Sequence, residues 1–355
     1  MSLRDGSLAW SLRHAPAASR AIANTVAPAV MSALAAIVAG ACVVPAAPSA
    51  GSLVTMVAAG PSVARGSEAT HGPPSDTTGP QPDVADLPYG SEAQAAQTLD
   101  LYLPPAGSGS ALAPLVIWIH GGGFRLGDKS SMRRRSGGPL PRPTGPYGPY
   151  QIQVPDVAAL TAKGYAVAAL TAKGYAVAGI NYRLGASMAE AAVRAIHDGK
   201  TAVCFLRANA GAYHLDPGRF AVWGNSAGGY MAAMLGVTGD QRTVFDAPRS
   251  RYADESSAVQ AVVVWFGAED RLPGRELSIA DYLPAARNLP AFMIANGDAD
   301  PIISPGQARR LHEALLAAGA RSTLAILPGA GHEDPAFTAT QTLPTVAFLE
   351  KTFGR

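Results

Sequence analysis

The chain has 355 residues, 48% of them apolar and 15% charged. That is globular composition, enough for one large domain with extensions or for two small domains, with a core of several dozen side chains. A formal net charge of +2 gives no argument for nucleic acid or for an acidic partner, and two cysteines, Cys42 and Cys204, exclude a disulfide framework and zinc-type spacing.

The front of the chain reads as a targeting segment. Arg4, Arg13 and Arg20 face a single acid, Asp5, in residues 1–20; residues 21–44 then carry no charge, and Ala46, Ala47, Ser49 and Ala50 follow. A basic region, an apolar run and a small-residue exit make a secretory signal over residues 1–50, and hence a secreted or cell-envelope protein. The apolar run is also long enough to serve as an uncleaved membrane anchor, since about 20 residues span a bilayer. Lipidation at Cys42, after Ala39-Gly40-Ala41, is a third reading. Residues 51–92 read as a disordered linker, because residues 60–92 are rich in Gly, Pro, Ser, Thr and Asp and show no apolar periodicity. The folded domain is expected over 93–355.

Within it, Thr98 to Leu103 alternates with period two, as a half-buried strand does. Leu115 to Ile119 is continuously apolar, as in a strand covered on both faces. Similar runs are Tyr175–Ile180, Phe220–Trp223, Val259–Phe266, Ala291–Ala295 and Thr323–Leu327, separated by amphipathic stretches at Met188–Ala210, Ala227–Leu235, Pro305–Ala318 and Thr338–Thr352. This alternation predicts an α/β fold: a central, mostly parallel sheet of about eight strands with helices on both faces.

One feature breaks the rhythm. Residues 159–168 are repeated in full at 169–178. Two copies are too few for a solenoid, which leaves a local duplication. The second copy runs into Gly179-Ile180-Asn181, so it is expected to own the strand. The first copy's Ala, Leu and Lys content predicts a helix through Tyr165 to Lys173, with Gly164 inside it.

Gly224-Asn225-Ser226-Ala227-Gly228 matches G-x-S-x-G between a strand and a helix, the context in which a sharp turn lifts a nucleophilic serine onto a strand end. His120-Gly121-Gly122-Gly123-Phe124 follows another strand. Acyl transfer develops an oxyanion, and glycines let backbone N–H groups approach it; Gly122, Gly123 and Ala227 are the expected donors, and His120 braces the loop. Only His312 and His332 follow Ser226. His312 falls inside an amphipathic helix, whereas His332 lies in a loop after a strand, where this kind of sheet keeps its site, so His332 is the expected base. For the acid that orients it, Asp298 and Asp300 both qualify by position, and Glu269 and Asp270 follow an earlier strand end. Phe124, Tyr182 and Tyr230 are candidate walls of a substrate pocket. The Pro- and Gly-rich segment from Asp128 to Pro155 leaves the glycine loop as a lid or a surface insertion.

These residues resemble the esterase/lipase branch of the α/β-hydrolases, in particular the BD-FAE-like group (bifunctional deacetylase and feruloyl esterase-like domains) related to hormone-sensitive-lipase-type esterases. The resemblance covers about residues 97–350 and is carried by Trp118 to Phe124, Asn181 to Leu184, Asp198 to Asn209, Trp223 to Gly229, Trp265-Phe266-Gly267, Asn296 to Pro301 and Gly329 to His332. It implies that the acid is Asp300. It also implies hydrolysis of small-molecule carboxylic esters, short acyl or carbohydrate and aryl esters, through an acyl-enzyme. No metal or organic cofactor is expected, and the expected state is a monomer or dimer. Asn225 and Asn296 depart from the family pattern, which favours an acid and a histidine at these places. A peptidase or amidase on the same residues, and a binding protein that keeps the fold without catalysis, are the competing readings.

Overall fold

The computed structural model describes residues 81–90, 95–105, 112–129, 167–246, 252–268, 270 and 272–355. The targeting segment, the linker up to residue 80, Gly164, Glu269 and most of the Asp128–Pro155 segment lie outside them. Among the described residues no helix is long and apolar enough to cross a membrane.

Among the described residues eight strands form one sheet: β1 (Val84–Pro88), β2 (Thr98–Tyr102), β3 (Ala113–Ile119), β4 (Ala176–Ile180), β5 (Leu215–Asn225), β6 (Ala261–Trp265), β7 (Ala291–Gly297) and β8 (Ser322–Leu327). Their order is β1-β2-β4-β3-β5-β6-β7-β8. The pairs β1–β2 and β2–β4 are antiparallel and every other pair is parallel. The helices are α1 (Val167–Ala172), α2 (Met188–Ala208), α3 (Ala227–Thr238), the single turn α4 (Ile279–Tyr282), α5 (Pro305–Ala317) and α6 (Pro335–Phe353).

Alternation along the central strands divides the core. Leu115, Ile117 and Ile119 of β3 pack with Ile196 and Leu206 of α2 and with Met231 and Leu235 of α3. Val116 and Trp118 face the other way and pack with Phe337, Leu349 and Phe353 of α6. All seven residues of β3 and all five of β6 are buried, as strands covered on both faces must be. On the α6 side, Trp118 and Trp223 meet edge to face at 5.5 Å between ring centroids, and Trp223 and Trp265 at 4.9 Å.

The linker boundary at 92 is corrected by β1. Val84 pairs with Leu101 and Leu87 with Leu99, Tyr89 is buried, and the Asp86 N–H donates to the Asp100 carboxylate at 2.9 Å. An edge strand with only Val84 and Leu87 half-buried leaves too faint an alternation to stand out from a polar stretch.

The duplicated decapeptide divides as expected within the described residues. Val167 and Ala168 are helical, whereas Val177 and Ala178, at the same places in the second copy, are central in β4. Gly174 ends the intervening turn at φ +78°, and its N–H and that of Tyr175 bond back to Thr171 and Leu170. Neighbouring strands, not local sequence, decide between the two states: β4 is paired on both edges, to β2 and β3.

Candidate active site

β5 ends at Asn225 and α3 begins at Ala227, which leaves Ser226 alone at the corner with φ +51° and ψ −123°. That backbone is strained for a residue with a side chain, and it persists because the surroundings fix it on every side. The Ser226 N–H donates to the Trp265 carbonyl at 3.0 Å, and its own carbonyl accepts from the Tyr230 N–H at 3.0 Å. A Cβ on Gly224 would lie 2.1 Å from the Gly228 carbonyl oxygen, and one on Gly228 would lie 2.1 Å from the Ile119 oxygen. Only glycines permit so tight a corner against β3.

The loop after β8 carries His332 to this corner. Its Nε2 lies 2.9 Å from Ser226 Oγ, and its Nδ1 lies 2.8 Å from Asp300 Oδ2. The Asp300 side chain is fully buried and its second oxygen accepts the N–H groups of Ile302 and Ile303, at 2.8 and 2.9 Å. A carboxylate only accepts, so Nδ1 carries the proton toward Asp300 and Nε2 is left to accept from the serine hydroxyl. Asp298, the other acid in this turn, does not reach the imidazole pair; its Oδ1 accepts the Gly329 N–H at 2.6 Å and ties the β7 turn to the histidine loop. The Ala299 N–H adds a bond to the Ala330 carbonyl. Asp334, two residues beyond the histidine, caps α6 by accepting the Ala336 N–H.

The glycine loop lies against the same corner. A Cβ on Gly121 would lie 3.2 Å from Ser226 Cβ, and Gly122 and Gly123 have φ of +108° and +61°. The N–H groups of Arg125 and Leu126 both turn back to the Gly122 carbonyl. His120 is buried, stacks on Tyr182 at 4.3 Å and bonds the Gly121 carbonyl through Nδ1. Burial pushes its imidazole down to about 4, so it is neutral at working pH, as suits a brace.

The three aromatics named as candidate pocket walls are packed beneath the glycine loop. Phe124, Tyr182 and Tyr230 are 2%, 2% and 1% exposed. The Tyr182 hydroxyl donates to the His120 carbonyl and that of Tyr230 to the Leu277 carbonyl. Phe124 meets both tyrosine rings edge to face. Aromatics near strand ends signal a site's neighbourhood, but here they form the floor under the glycine loop.

Two residues at the corner were not among the expected site residues, although Phe266 closes the apolar run of β6 and stands in a segment that carries the family resemblance. Glu333, next to His332, is 7% exposed with φ +59°; burial and then the charge of Asp300 push its carboxyl up to about 8. Phe266, just past β6, is fully buried with φ +36°, and its ring centroid lies 5.0 Å from that of His332. His312 sits in α5 and bonds Ser322 Oγ. No group of three or more His, Cys, Asp or Glu able to hold a metal ion occurs among the described residues.

Comparison with known proteins agrees with this architecture. Residues 157–281 match the BD-FAE family model. Esterase LipC of Mycobacterium tuberculosis (strain ATCC 25618 / H37Rv) is 32% identical over 180 residues, which is 43% of this chain and 44% of that protein, so the chain spans less than half the length of this curated relative. Among solved structures, a truncated form of a carbohydrate esterase from gut microbiota superimposes with a TM-score of 0.57 at 22% identity, over 79% of this chain and 99% of that one. The apo form of Thermogutta terrifontis esterase 2 gives 0.55 at 19% identity, over 72% and 90%. The fold is that of the α/β-hydrolases.

Proposed function

We propose that the chain is a serine carboxylesterase that cleaves small-molecule carboxylic esters through an acyl-enzyme. The observation that carries the reading is the continuous relay of Ser226 Oγ, His332 and Asp300, with contacts of 2.9 and 2.8 Å. Ser226 attacks the ester carbonyl carbon while its proton passes to His332 Nε2, and the buried Asp300 carboxylate stabilises the imidazolium that forms. The tetrahedral oxyanion is held by the N–H groups of Gly122, Gly123 and Ala227. Collapse breaks the bond to the alcohol, which leaves with the proton from Nε2. Water then attacks the acyl-serine, giving up a proton to Nε2, and the acid departs as the serine hydroxyl is restored. None of these steps calls on a metal or organic cofactor.

The substrate class is short acyl esters, including those of carbohydrate and aryl alcohols. The BD-FAE match and the esterase relative both support an ester in preference to an amide. Secretion or attachment to the cell envelope remains part of the reading and rests on residues 1–50 alone. The test is a panel of acetylated sugars, feruloyl esters and p-nitrophenyl esters from about two to twelve carbons, with matched amides alongside. Turnover of short esters that disappears in Ser226→Ala, with an unchanged far-UV spectrum, is the expected result. Wild-type turnover in that variant, or amides cleaved faster than esters, overturns it.

A further inference from the structure

The two hydrogen bonds of His332 leave its ring under-determined. Both contacts lie at the ring nitrogens, toward Asp300 and Ser226. They fix two points of the imidazole, and the Cβ–Cγ bond is its third anchor, so the ring tilts about the line joining the nitrogens only as far as its backbone and packing allow. Its loop is tied to the β7 turn, where the Gly329 N–H bonds Asp298 and the Ala299 N–H bonds the Ala330 carbonyl, but these bonds hold backbone ahead of the histidine and none reaches the imidazole. The tilt of the ring between that backbone and its two nitrogen contacts is limited by what packs against it.

Phe266 is the aromatic that meets it. Its ring stands at 71° to the imidazole with the centroids 5.0 Å apart. The phenyl ring is itself held: Phe337 of α6 packs against it at 4.6 Å and 67°, and Trp265 packs on Phe337 at 6.1 Å. Phe266 has no exposed surface.

The backbone that presents this ring is strained for a reason. β6 ends at Trp265, whose carbonyl accepts the Ser226 N–H at 3.0 Å. The next N–H, that of Phe266, donates to the Ala295 carbonyl of β7 at 2.7 Å. A Cβ on the following Gly267 would lie 2.4 Å from the Ser226 carbonyl oxygen. With both flanking peptides tied down, Phe266 takes φ +36°. Left-handed backbone at a bulky residue persists only where the surrounding contacts impose it, and such positions cluster at functional sites. One three-residue segment therefore touches both partners of the proton transfer: the backbone of the nucleophile through Trp265 and Gly267, and the ring of the base through Phe266.

We propose that Phe266 is a positioning residue for His332, holding the imidazole plane so that Nε2 faces Ser226 Oγ. The inference rests on the reading of His332 as the general base. Phe266 touches neither substrate nor reacting atoms in this account; it acts through the histidine.

The test uses the full chain with Phe266→Leu, which removes the flat ring, and Phe353→Leu as a control. Phe353 belongs to the same apolar cluster and packs on Tyr175 at 6.2 Å. Phe266→Leu is expected to lower kcat about tenfold or more with KM within about twofold, since small misplacements of a catalytic group are costly in rate. Its low-field proton resonance from the His332–Asp300 hydrogen bond broadens through exchange with water. Phe353→Leu lowers Tm and leaves both kcat and that resonance as in wild type. A folded Phe266→Leu with wild-type kcat and a sharp resonance overturns the inference, as does a kcat loss that Phe353→Leu shares at equal Tm. Should the leucine variant fail to fold, wild-type protein decides: cross-peaks between the Phe266 ring and the His332 ring protons are expected, and their absence overturns the inference. Wild-type protein inactive on every ester would refute the esterase reading instead, and the resonance and cross-peaks would still judge Phe266.

Discussion

Asp300 reaches His332 with one carboxylate oxygen, at 2.8 Å, and anchors itself with the other on the N–H groups of Ile302 and Ile303. The two tasks separate on substitution. Asp300→Asn keeps an oxygen for the backbone donors but presents an amide N–H to the imidazole, which favours the wrong tautomer. We expect kcat on a short p-nitrophenyl ester to fall by roughly 10³–10⁴, with Tm changed by only a few degrees. Steady-state kinetics and a thermal melt check both; a loss below tenfold would mean that Asp300 does not orient the base.

The glycine loop separates space from backbone freedom. A Cβ on Gly122 would lie 2.2 Å from the Leu126 carbonyl oxygen, at φ +108°. A Cβ on Gly123 would meet only Met188 Cε at 3.9 Å, at φ +61°. Gly122→Ala therefore displaces the loop, and we expect loss of nearly all turnover together with a lower Tm. Gly123→Ala pays mainly the left-handed backbone penalty of about 1–2 kcal/mol and retains the loop path. A Gly122→Ala variant as active as Gly123→Ala would contradict this description of the loop.

Tyr182 separates support of the glycine loop from contact with substrate. Its hydroxyl donates to the His120 carbonyl at 2.8 Å from a buried site. Tyr182→Phe leaves that carbonyl short of a donor, at about 1–3 kcal/mol, so Tm and kcat are expected to fall together. The ranking of acyl-chain lengths should stay that of wild type. A changed ranking would return Tyr182 to the substrate pocket.

Much of this was legible in the chain. Ser226 and His332 stand in short motifs at strand ends, where the local pattern is decisive, and seven of the eight strands carry enough apolar residues to be read directly. Asp300 could be preferred to Asp298 only through family resemblance, because the two differ by a turn geometry that spacing does not encode. Glu333 was silent, and Phe266 legible only as the end of a strand and part of a family-like segment, for a physical reason. Their significance lies in backbone angles and in rings meeting across 66 residues of sequence, and neither leaves a periodic trace. Val167 and Val177 make the same point, since identical flanking residues end in helix and in strand.

Glu333 gives a pH dependence with a defined sign. Its carboxyl is raised from 4.5 to about 8 in the folded chain. Below 4.5 it is protonated whether the chain is folded or not, and its contribution is fully present. As pH rises toward 8 the unfolded chain releases the proton while the folded chain keeps it, so stability is lost across that window. Glu333→Gln removes the effect. We expect its Tm to change less than that of wild type between these values and to exceed it at pH 8–9, measured by calorimetry in one buffer series. Parallel curves would contradict the burial of this acid.

The relay itself is tested most directly by a fluorophosphonate probe followed by mass spectrometry of the intact chain and its peptides. One adduct per chain, located on Ser226, lost in Ser226→Ala and formed far more slowly in His332→Ala, is the predicted result. Folded wild-type protein that takes no label, or that takes it on a different residue, would contradict the account.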